Sequence, residues 1–380
     1  MRIRDKTISK ERTRATNALL PLARARRADV SNAITGLVLR QIHQSIVEEA
    51  LHTERTLRVA NFAFSLERLD DSESLKCFCF TKSDIYRITR LMEWPCSRNV
   101  TARRRYRTHA VLSFCVLCRR LGTVCRWWDL EAESGCTTSV LKEFYEALDE
   151  FYSKFSTLVS VYRQSFLSSK AATYAAEVSN AGAPLDKCVG FMDGTNLYIS
   201  RPKGSAQHAT YIGHKRRNCL KFQALSTPDG LIFHIFGPVE GRRHDMMVYR
   251  HSNIDEELST TLCIYGTQYY IYGDPAYVIR PYLIIGYGGA FLTEKQKQFN
   301  KEMSACRTAV QWALKDIKKY FSHVSSATKM RIECTPAALW YFVSALLWNF
   351  RACLYGSQSA TAFNCAAPTL EEYVATIPQE

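Results

Sequence analysis

The sequence lacks an uninterrupted hydrophobic run long enough to cross a membrane, and it shows no internal repeat. Its longest apolar stretch, Ala337 to Phe350, is broken by Ser344 and Asn349 and is shorter than the roughly 18 residues that such a span needs. The residues after Met1 are charged and lack the apolar segment of a secretory signal. We therefore expect no membrane association and a location inside the cell.

Acidic residues are scarce relative to basic ones. Lys and Arg number 50 against 36 Asp and Glu, which gives a net charge of +14. Residues 1–27 are rich in Arg and Lys, and a second basic cluster contains Arg103, Arg104 and Arg105. Such an excess points to a polyanionic partner, and we predict DNA contacts for the second cluster. Solvated surface or a targeting signal is the alternative explanation of these runs.

The rest of the composition is that of an ordinary globular protein. Hydrophobic residues make up 47% and charged residues 23%, which excludes a disordered or fibrous chain. The 380 residues allow two or three domains. The 14 cysteines are scattered through apolar segments, so we predict reduced, mostly buried thiols rather than disulfides.

Changes of pattern along the chain predict four parts. These are a basic, partly helical N-terminal segment (1–70), a helical domain (71–165), an α/β domain (166–360) and a C-terminal tail (361–380). Within the helical domain, a helix over 126–132, a short turn and a helix over 137–151 form a helix-turn-helix pattern. Such a pattern fits DNA reading, and it equally fits simple packing of a small helical domain.

The α/β domain begins with an apolar strand that we expect to end at Asp193. A hairpin follows with its turn at Pro228-Asp-Gly230, and another short apolar strand ends at Asp274. A long helix over 297–321 has apolar residues at helical spacing. This order of elements predicts a mixed α/β sheet flanked by helices.

Two carboxylates at the ends of neighbouring strands form a potential metal site. If the strands that end at Asp193 and Asp274 are neighbours, their side chains are suited to bind Mg²⁺ or Mn²⁺. Paired cations about 3.5–4 Å apart activate a water or hydroxyl and stabilise the leaving oxygen of a phosphodiester. The alternative is that Asp beside Gly is only a turn or strand-end signal.

The sequence resembles the PIF/Harbinger-type DDE transposases over residues 75–360. The similarity lies in five blocks in the family's order: Phe191 to Thr195, Tyr211 to Arg216, Gly237 to Asp245, Gly273 to Tyr277, and Phe299 to Trp312. The resemblance implies an RNase H-like core, metal-dependent cleavage and joining of DNA at transposon ends, and a nuclear location. It also implies that the protein works with a separate Myb-like DNA-binding partner.

The resemblance assigns roles to individual residues. Asp193 and Asp274 correspond to the first two catalytic acids and metal ligands, whereas the third position holds Gln311 in place of glutamate. His244 and Asp245 take supporting roles, with helix capping the more favoured role for Asp245 and metal ligation the other.

One polar stripe of the long helix should face the metal site. Helical spacing places Asn300, Ser304, Arg307, Gln311 and Lys318 on it, with Arg307 as a supporting residue. Glu302 and Asp316 lie about 180° and about 140° from Gln311 around the helix, so neither replaces the missing carboxylate.

A basic loop joins the first strand to the hairpin. It carries the predicted phosphate contacts Arg201, Lys203, Lys215, Arg216 and Arg217, with a solvated loop as the alternative. Together these features predict a transposase-like DNA-binding protein with a nuclease fold whose cleavage is impaired by Gln311. The alternatives are a domesticated or decaying transposase that only binds DNA and, more remotely, an RNA-processing enzyme.

Overall fold

The computed structural model describes residues 65–94, 97–99, 107–160 and 164–377. Almost all of the basic N-terminal segment, and with it its predicted helices, lies outside the described residues. The same holds for Arg103, Arg104 and Arg105, so their predicted DNA contacts stay predictions.

The secondary structure of the described residues is mixed. The α-helices, in chain order, are α1 (Asp71–Phe78), α2 (Lys82–Leu91), α3 (Ala110–Gly122), α4 (Trp127–Ser134), α5 (Thr138–Leu141), α6 (Phe144–Phe155), α7 (Gln164–Asn180), α8 (Ser205–Thr210), α9 (Asp245–His251), α10 (Ile254–Thr261), α11 (Glu294–Tyr320), α12 (Ala337–Tyr355), α13 (Gln358–Ala362) and α14 (Leu370–Ala375). The strands are β1 (Ser97–Asn99), β2 (Arg107–His109), β3 (Cys188–Tyr198), β4 (Tyr211–Ile212), β5 (Arg217–Ser226), β6 (Ile232–Glu240), β7 (Cys263–Ile264), β8 (Thr267–Gln268), β9 (Tyr270–Gly273) and β10 (Leu283–Ile285). Short 3₁₀ turns occur at Leu66–Arg68, Ser156–Val159 and Ser322–Ser325.

The central sheet has the strand order β10-β9-β3-β5-β6, and β4 pairs with the start of β5. Strands β3, β5 and β6 are antiparallel neighbours, whereas β9 and β10 run parallel to β3. The β5–β6 hairpin turns where the sequence predicts, with Gly230 at φ +85° and the Thr227 hydroxyl donating to Asp229 over 2.6 Å. The predicted mixed α/β sheet flanked by helices is confirmed.

Helix α11 brings polar groups to the sheet and α12 forms the core. The capping box of Thr293 and Gln296 starts α11, and Met303 and Ile317 are buried on its apolar face. Helix α12 is long and apolar enough to cross a membrane, but 89% of that stretch is buried within the protein. Burial on all sides is typical of the central helix of a folded domain.

The predicted helix-turn-helix is wrong in its second helix. Gly135 ends α4 at φ +67°, as the turn requires, but the segment after it is divided into the one-turn α5 and the longer α6. The apolar face of α6 packs into the core, with the Phe144 ring 4.8 Å from Trp340 and the Phe151 ring 5.5 Å from Phe350. The divided second helix and its packing give no support to a DNA-reading helix, so simple helical packing is the better explanation.

One hydrophobic cluster contains buried side chains from both sides of residue 165. The C-terminal residues also contribute to it, since Leu370 and Tyr373 of α14 are buried there. The four-part division of the chain stays a prediction. The described cysteines are all free and most are buried, and burial raises the pKa of Cys115 and Cys118.

Candidate active site

Two neighbouring strands bring the predicted acids together. Strands β3 and β9 pair in parallel, with Met192 opposite Gly273, so the next residues of the two strands are Asp193 and Asp274. Strand β9 ends at Gly273, and Asp274 follows it as the sequence predicts. Successive side chains alternate between faces, so the two carboxylates lie on the same face of the sheet.

Asp193 does not end its strand, which corrects that prediction. β3 continues to Tyr198, because β5 pairs with it along its full second half, from Asp193 opposite Ala224 to Tyr198 opposite Cys219. An Asp-Gly pair often marks the end of a strand, but here the pairing with β5 continues the strand beyond it. Asp193 therefore lies in the middle of the central strand of the sheet.

Helix α11 places Arg307 between the two carboxylates. Its Nη1 atom is 3.4 Å from Oδ1 of Asp193 and 3.2 Å from Oδ2 of Asp274. One turn later, the Gln311 side chain lies beside the Asp193 carboxylate and lowers its pKa. The structure thus brings Asp193, Asp274, Arg307 and Gln311 into one cluster, as the helical spacing predicts.

The environment of Asp193 opposes ionisation overall. Burial raises the pKa of this carboxyl, and the nearby charge of Asp274 acts in the same direction. Arg307, the backbone N–H of Gly194 at 3.0 Å and Gln311 each lower it, but burial outweighs them. Asp193 is therefore held in its charged form only by its contacts with these neighbours.

The polar stripe of α11 extends beyond this cluster in both directions. The Lys318 ammonium donates to the Thr195 hydroxyl and to the Asn196 carbonyl, each over 3.0 Å. Burial lowers the pKa of Lys318. At the other end, Ser304 lowers the pKa of the Tyr272 hydroxyl on β9, and Asn300 hydrogen-bonds to the backbone of Tyr287. Arg307 and Lys318 of the predicted stripe thus contact the sheet, whereas Asn300 contacts the loop after β10.

Asp245 lies on the opposite face of β3 from Asp193. Its carboxylate carbon is 3.5 Å from the point where a Cβ on Gly194 would stand, and it accepts a 2.8 Å ion pair from Lys221. It follows the N-cap residue of α9, which is His244 and makes no side-chain capping bond. The capping role predicted for Asp245 is therefore wrong, and its carboxylate is engaged by Lys221.

Tyr277 is a residue of this region that sequence reasoning missed. Its hydroxyl is buried and has no hydrogen-bond partner within the described residues. Burial and the charges of Asp245, Asp193 and Asp274 raise its pKa. Its ring packs against Gly273, where a Cβ would come within 3.0 Å of it. The sequence did contain a signal for Tyr277, since it is the last residue of the Gly273 to Tyr277 block that resembles the family.

Among the residues that the structure describes, no third carboxylate joins Asp193 and Asp274. Asp316 is 8% exposed and faces Lys319 and Arg351 on another side of α11, and Glu302 accepts a hydrogen bond from Gln298. In the part of the chain that the structure describes, no group of three or more His, Cys, Asp or Glu side chains is placed to hold a metal ion.

The donor set fits one divalent cation and falls short of two. Carboxylate oxygens of Asp193 and Asp274 suit Mg²⁺ or Mn²⁺, both of which keep several water ligands. The cation would have to displace the guanidinium of Arg307 from between them. Gln311 offers a carbonyl oxygen but no charge, so it would hold a cation more weakly than a carboxylate.

The predicted basic loop is exposed and lies beyond the far end of β3. Arg201, Lys203, Lys215, Arg216 and Arg217 all project into solvent. The Arg217 guanidinium lies over the Tyr198 ring, 5.2 Å from its centre. Within the described ranges, none of the five side chains forms an ion pair with a carboxylate, so their charge is available to an external anion.

Residues 192–349 match the family model described as DDE superfamily endonuclease. No curated protein and no solved structure shows a significant match to the chain. The matched range contains Asp193, Asp274 and Gln311, and the mixed sheet flanked by helices is consistent with a DDE nuclease domain. DDE nuclease domains generally use divalent metals, and their substrate is DNA. This match supports assignment of the chain to a DDE transposase-like family.

Proposed function

We propose that this protein is a DNA-binding protein of the PIF/Harbinger transposase type, with an RNase H-like nuclease fold and impaired strand cleavage. The observation that carries the proposal is the position of Gln311, whose uncharged side chain lies beside the Asp193 carboxylate where the family has its third carboxylate. The match over residues 192–349 supports the nuclease fold. The lack of a third negative charge at Gln311 supports the impaired strand cleavage.

The chemistry of the proposed reaction is phosphodiester cleavage and transfer. A divalent cation at Asp193 and Asp274 supplies activation of a water or hydroxyl and neutralises charge on the phosphate. Arg307, displaced from the carboxylates, is positioned to pair with a non-bridging phosphate oxygen. Lys318 ties α11 to β3 and so holds Arg307 and Gln311 over the acids.

DNA binding rests on charge that the fold leaves unpaired. The exposed basic loop offers three arginines and two lysines to phosphates, and the chain carries a net charge of +14. A nuclear location and a Myb-like partner belong to the same proposal. Their only support is the resemblance to the family.

The second candidate function is DNA binding without any cleavage. It is favoured by the position of Arg307, whose guanidinium lies within 3.4 Å of both carboxylates and would compete with a cation. Carboxylates that are paired with a guanidinium bind a cation more weakly, and the site therefore has less capacity to activate a nucleophile. Such a protein would be a domesticated or decaying transposase.

Salt-dependent binding of labelled duplex DNA tests the shared part of both candidates. Each phosphate neutralised contributes about 0.9 to the slope of log affinity against log salt. We expect the variant with Arg201, Arg216 and Arg217 changed to Gln to have a smaller slope than the native protein. Arg90→Gln, an exposed charge on α2, is the matched control and should leave the slope close to native. Equal slopes of log affinity against log salt for all three proteins would reject the basic loop as a DNA-contacting surface.

Cleavage assays separate the two candidates and the remoter RNA-processing function. Labelled DNA and RNA oligonucleotides are incubated with the protein while Mg²⁺ or Mn²⁺ is titrated. Weak, metal-dependent DNA nicking supports the impaired nuclease, and binding with no nicking supports the binding-only protein. Preferential RNA cleavage would overturn the assignment to DNA.

A further inference from the structure

A cavity of about 500 Å³ opens beside the basic loop, at the end of β3 that lies beyond Asp193. The cavity is lined by Asn218 and by three arginines and two tyrosines, namely Arg201, Arg216, Arg217, Tyr198 and Tyr211. Its size is within the roughly 300–1,000 Å³ of sites that hold small ligands. No acidic residue lines it, so the cavity is complementary to an anion.

Two planar surfaces in this cavity are suited to stack with a nucleobase. Tyr211 is 42% exposed, a high value for a tyrosine in a sheet strand, and its ring lines the opening. The Arg217 guanidinium also lines the cavity, lies over the Tyr198 ring at 5.2 Å and forms a second planar platform. Unpaired bases stack on aromatic rings and on guanidinium planes in proteins that bind single strands.

The floor of the cavity is held in place by hydrogen bonds. The Asn218 amide donates to the Gln207 carbonyl over 3.1 Å and to the Thr210 hydroxyl over 2.9 Å, which ties α8 to β5. The Ile199 N–H donates to the Asn218 carbonyl over 3.0 Å, which fixes the end of β3. The stacking surfaces therefore extend from a scaffold that is formed before any ligand binds.

We propose that this cavity binds the unpaired end of a DNA strand, with bases stacked on Tyr211 and on the Tyr198–Arg217 pair and phosphates at Arg201 and Arg216. The inference rests on the DNA binding proposed above and adds a preference for unpaired DNA. A paired base in a duplex has both faces stacked on its neighbours, so it could not stack on these side chains. A base in an unpaired strand end has a free face and can stack on them.

The position of the cavity relates it to the candidate active site. Tyr198 lies five residues beyond Asp193 on β3, which is about 16 Å at the rise of a β-strand. At about 3.4 Å per nucleotide of one strand, the unpaired nucleotide lies roughly five phosphates from the acids. The strand pairing places Tyr211 on the same face of the sheet as Asp193, so a DNA end that is opened near Asp193 can reach the Tyr211 ring along that face.

The test compares a blunt duplex with the same duplex carrying a short single-stranded extension that contains a fluorescent adenine analogue. We expect the native protein to bind the extended DNA about tenfold more tightly and to quench the analogue, as stacking does. Tyr211→Ala and Arg217→Gln should each remove most of the preference and the quenching, whereas Tyr211→Phe should retain both. Tyr265→Ala, which removes an exposed tyrosine from another turn, is the matched control and should behave as native.

The outcomes distinguish this inference from the proposed function. Equal affinity for both DNAs, or a preference that survives both Tyr211→Ala and Arg217→Gln, would overturn the nucleotide site and leave DNA binding intact. Absence of binding to either DNA at low salt would overturn DNA binding itself. Tyr211 is on the surface, so its loss should not prevent folding, and Arg217→Gln tests the same platform independently.

Discussion

The Nη1 atom of Arg307 lies 3.2 Å from the Oδ2 atom of Asp274. The same nitrogen is 3.4 Å from the carboxylate of Asp193, so one guanidinium bridges the two acids that the family resemblance assigns to metal binding. A fixed positive charge thus lies where a cation would enter. Metal binding at this site is a competition between a dication and a side chain of the protein.

Arg307→Gln should increase the affinity of the protein for Mn²⁺ by at least about tenfold. Removal of a positive charge this close to both carboxylates lowers the electrostatic cost of a bound dication. Titration of Mn²⁺ monitored by electron paramagnetic resonance at fixed ionic strength gives the affinity directly and requires no enzymatic activity.

Lys301→Gln is the control for this change, because it removes one positive charge from an exposed position of the same helix. It should shift Mn²⁺ affinity much less. If Arg307→Gln binds Mn²⁺ more weakly than native while its circular dichroism is unchanged, Arg307 organises the carboxylates for the metal and does not compete with it.

The sequence predicted the parts of the site that depend on periodicity. Asp193 and Asp274 follow apolar segments long enough to be buried strands, and helical spacing alone placed Arg307 and Gln311 on one stripe of α11. The contact of Arg307 with both acids at once depends on the distance between α11 and the sheet. Packing sets that distance, and no local pattern encodes it.

The failures have a similar cause. A helix-turn-helix was predicted from turn residues, but the aromatic face of α6 was the stronger signal, and it packs against α12. Asp245 was expected to cap a helix because it begins one, yet the β3–β5 register places Lys221 within 2.8 Å of it. Register is a long-range property, so the partner of a surface carboxylate is hard to predict from its neighbours in sequence.

Asn349→Leu should destabilise the protein by about 3 kcal/mol. The buried Asn349 side chain accepts from the Ile232 N–H over 2.8 Å and donates to the Ile232 carbonyl over 2.9 Å, so it satisfies the outer edge of β6 from within the core. Leu leaves both backbone groups buried without this partner, at a cost of about 1–3 kcal/mol each before relaxation. Urea denaturation gives the change in the free energy of unfolding.

Ser344→Ala is the control on the same buried helix. The Ser344 hydroxyl donates to the Trp340 carbonyl within α12, so its loss removes no contact between elements. We expect a change below about 1 kcal/mol. Comparable losses for the two variants would show that Asn349 is not a tertiary hydrogen-bonding residue of the edge strand.

Acidification from pH 7 to pH 5 should destabilise the protein through two buried histidines. Burial lowers the pKa of His234 to about 4 and that of His323 to about 4, whereas an exposed histidine titrates near 6.5. Between these values the unfolded chain binds protons that the folded chain does not, so stability falls as pH falls. The expected loss is about 2 kcal/mol per histidine.

His234→Leu isolates one of these contributions, because leucine does not titrate. Buried carboxyls with raised pKa, such as Asp193 and Asp229, favour the folded state on acidification and act in the opposite direction. They are present in both proteins and cancel in the difference. The variant should lose about 2 kcal/mol less than native between pH 7 and pH 5 in urea denaturation. Parallel pH profiles for the two proteins would show that His234 protonates in the folded state.

Gln311→Glu should turn the site toward metal-dependent cleavage. The two side chains are nearly isosteric, so packing should change little, but a neutral amide beside Asp193 is replaced by a like charge that favours a bound cation. Three carboxylates against one Arg307 leave a net charge of −2 at the cluster, compared with −1 in the native protein. We expect Mn²⁺ to bind about tenfold more tightly and nicking of duplex DNA to become measurable.

Two further variants determine whether any new activity belongs to this cluster. Asp193→Ala or Asp274→Ala in the Gln311→Glu background should abolish nicking, and Gln298→Glu, which adds the same charge at an exposed position of α11, should not produce it. If the native protein nicks DNA as well as the Gln311→Glu variant, Gln311 is not the third catalytic position. If both are inert although Mn²⁺ binds more tightly, the site is electrostatically competent. The defect then lies in how the protein engages the DNA end, for which the basic loop and its cavity are the first place to look.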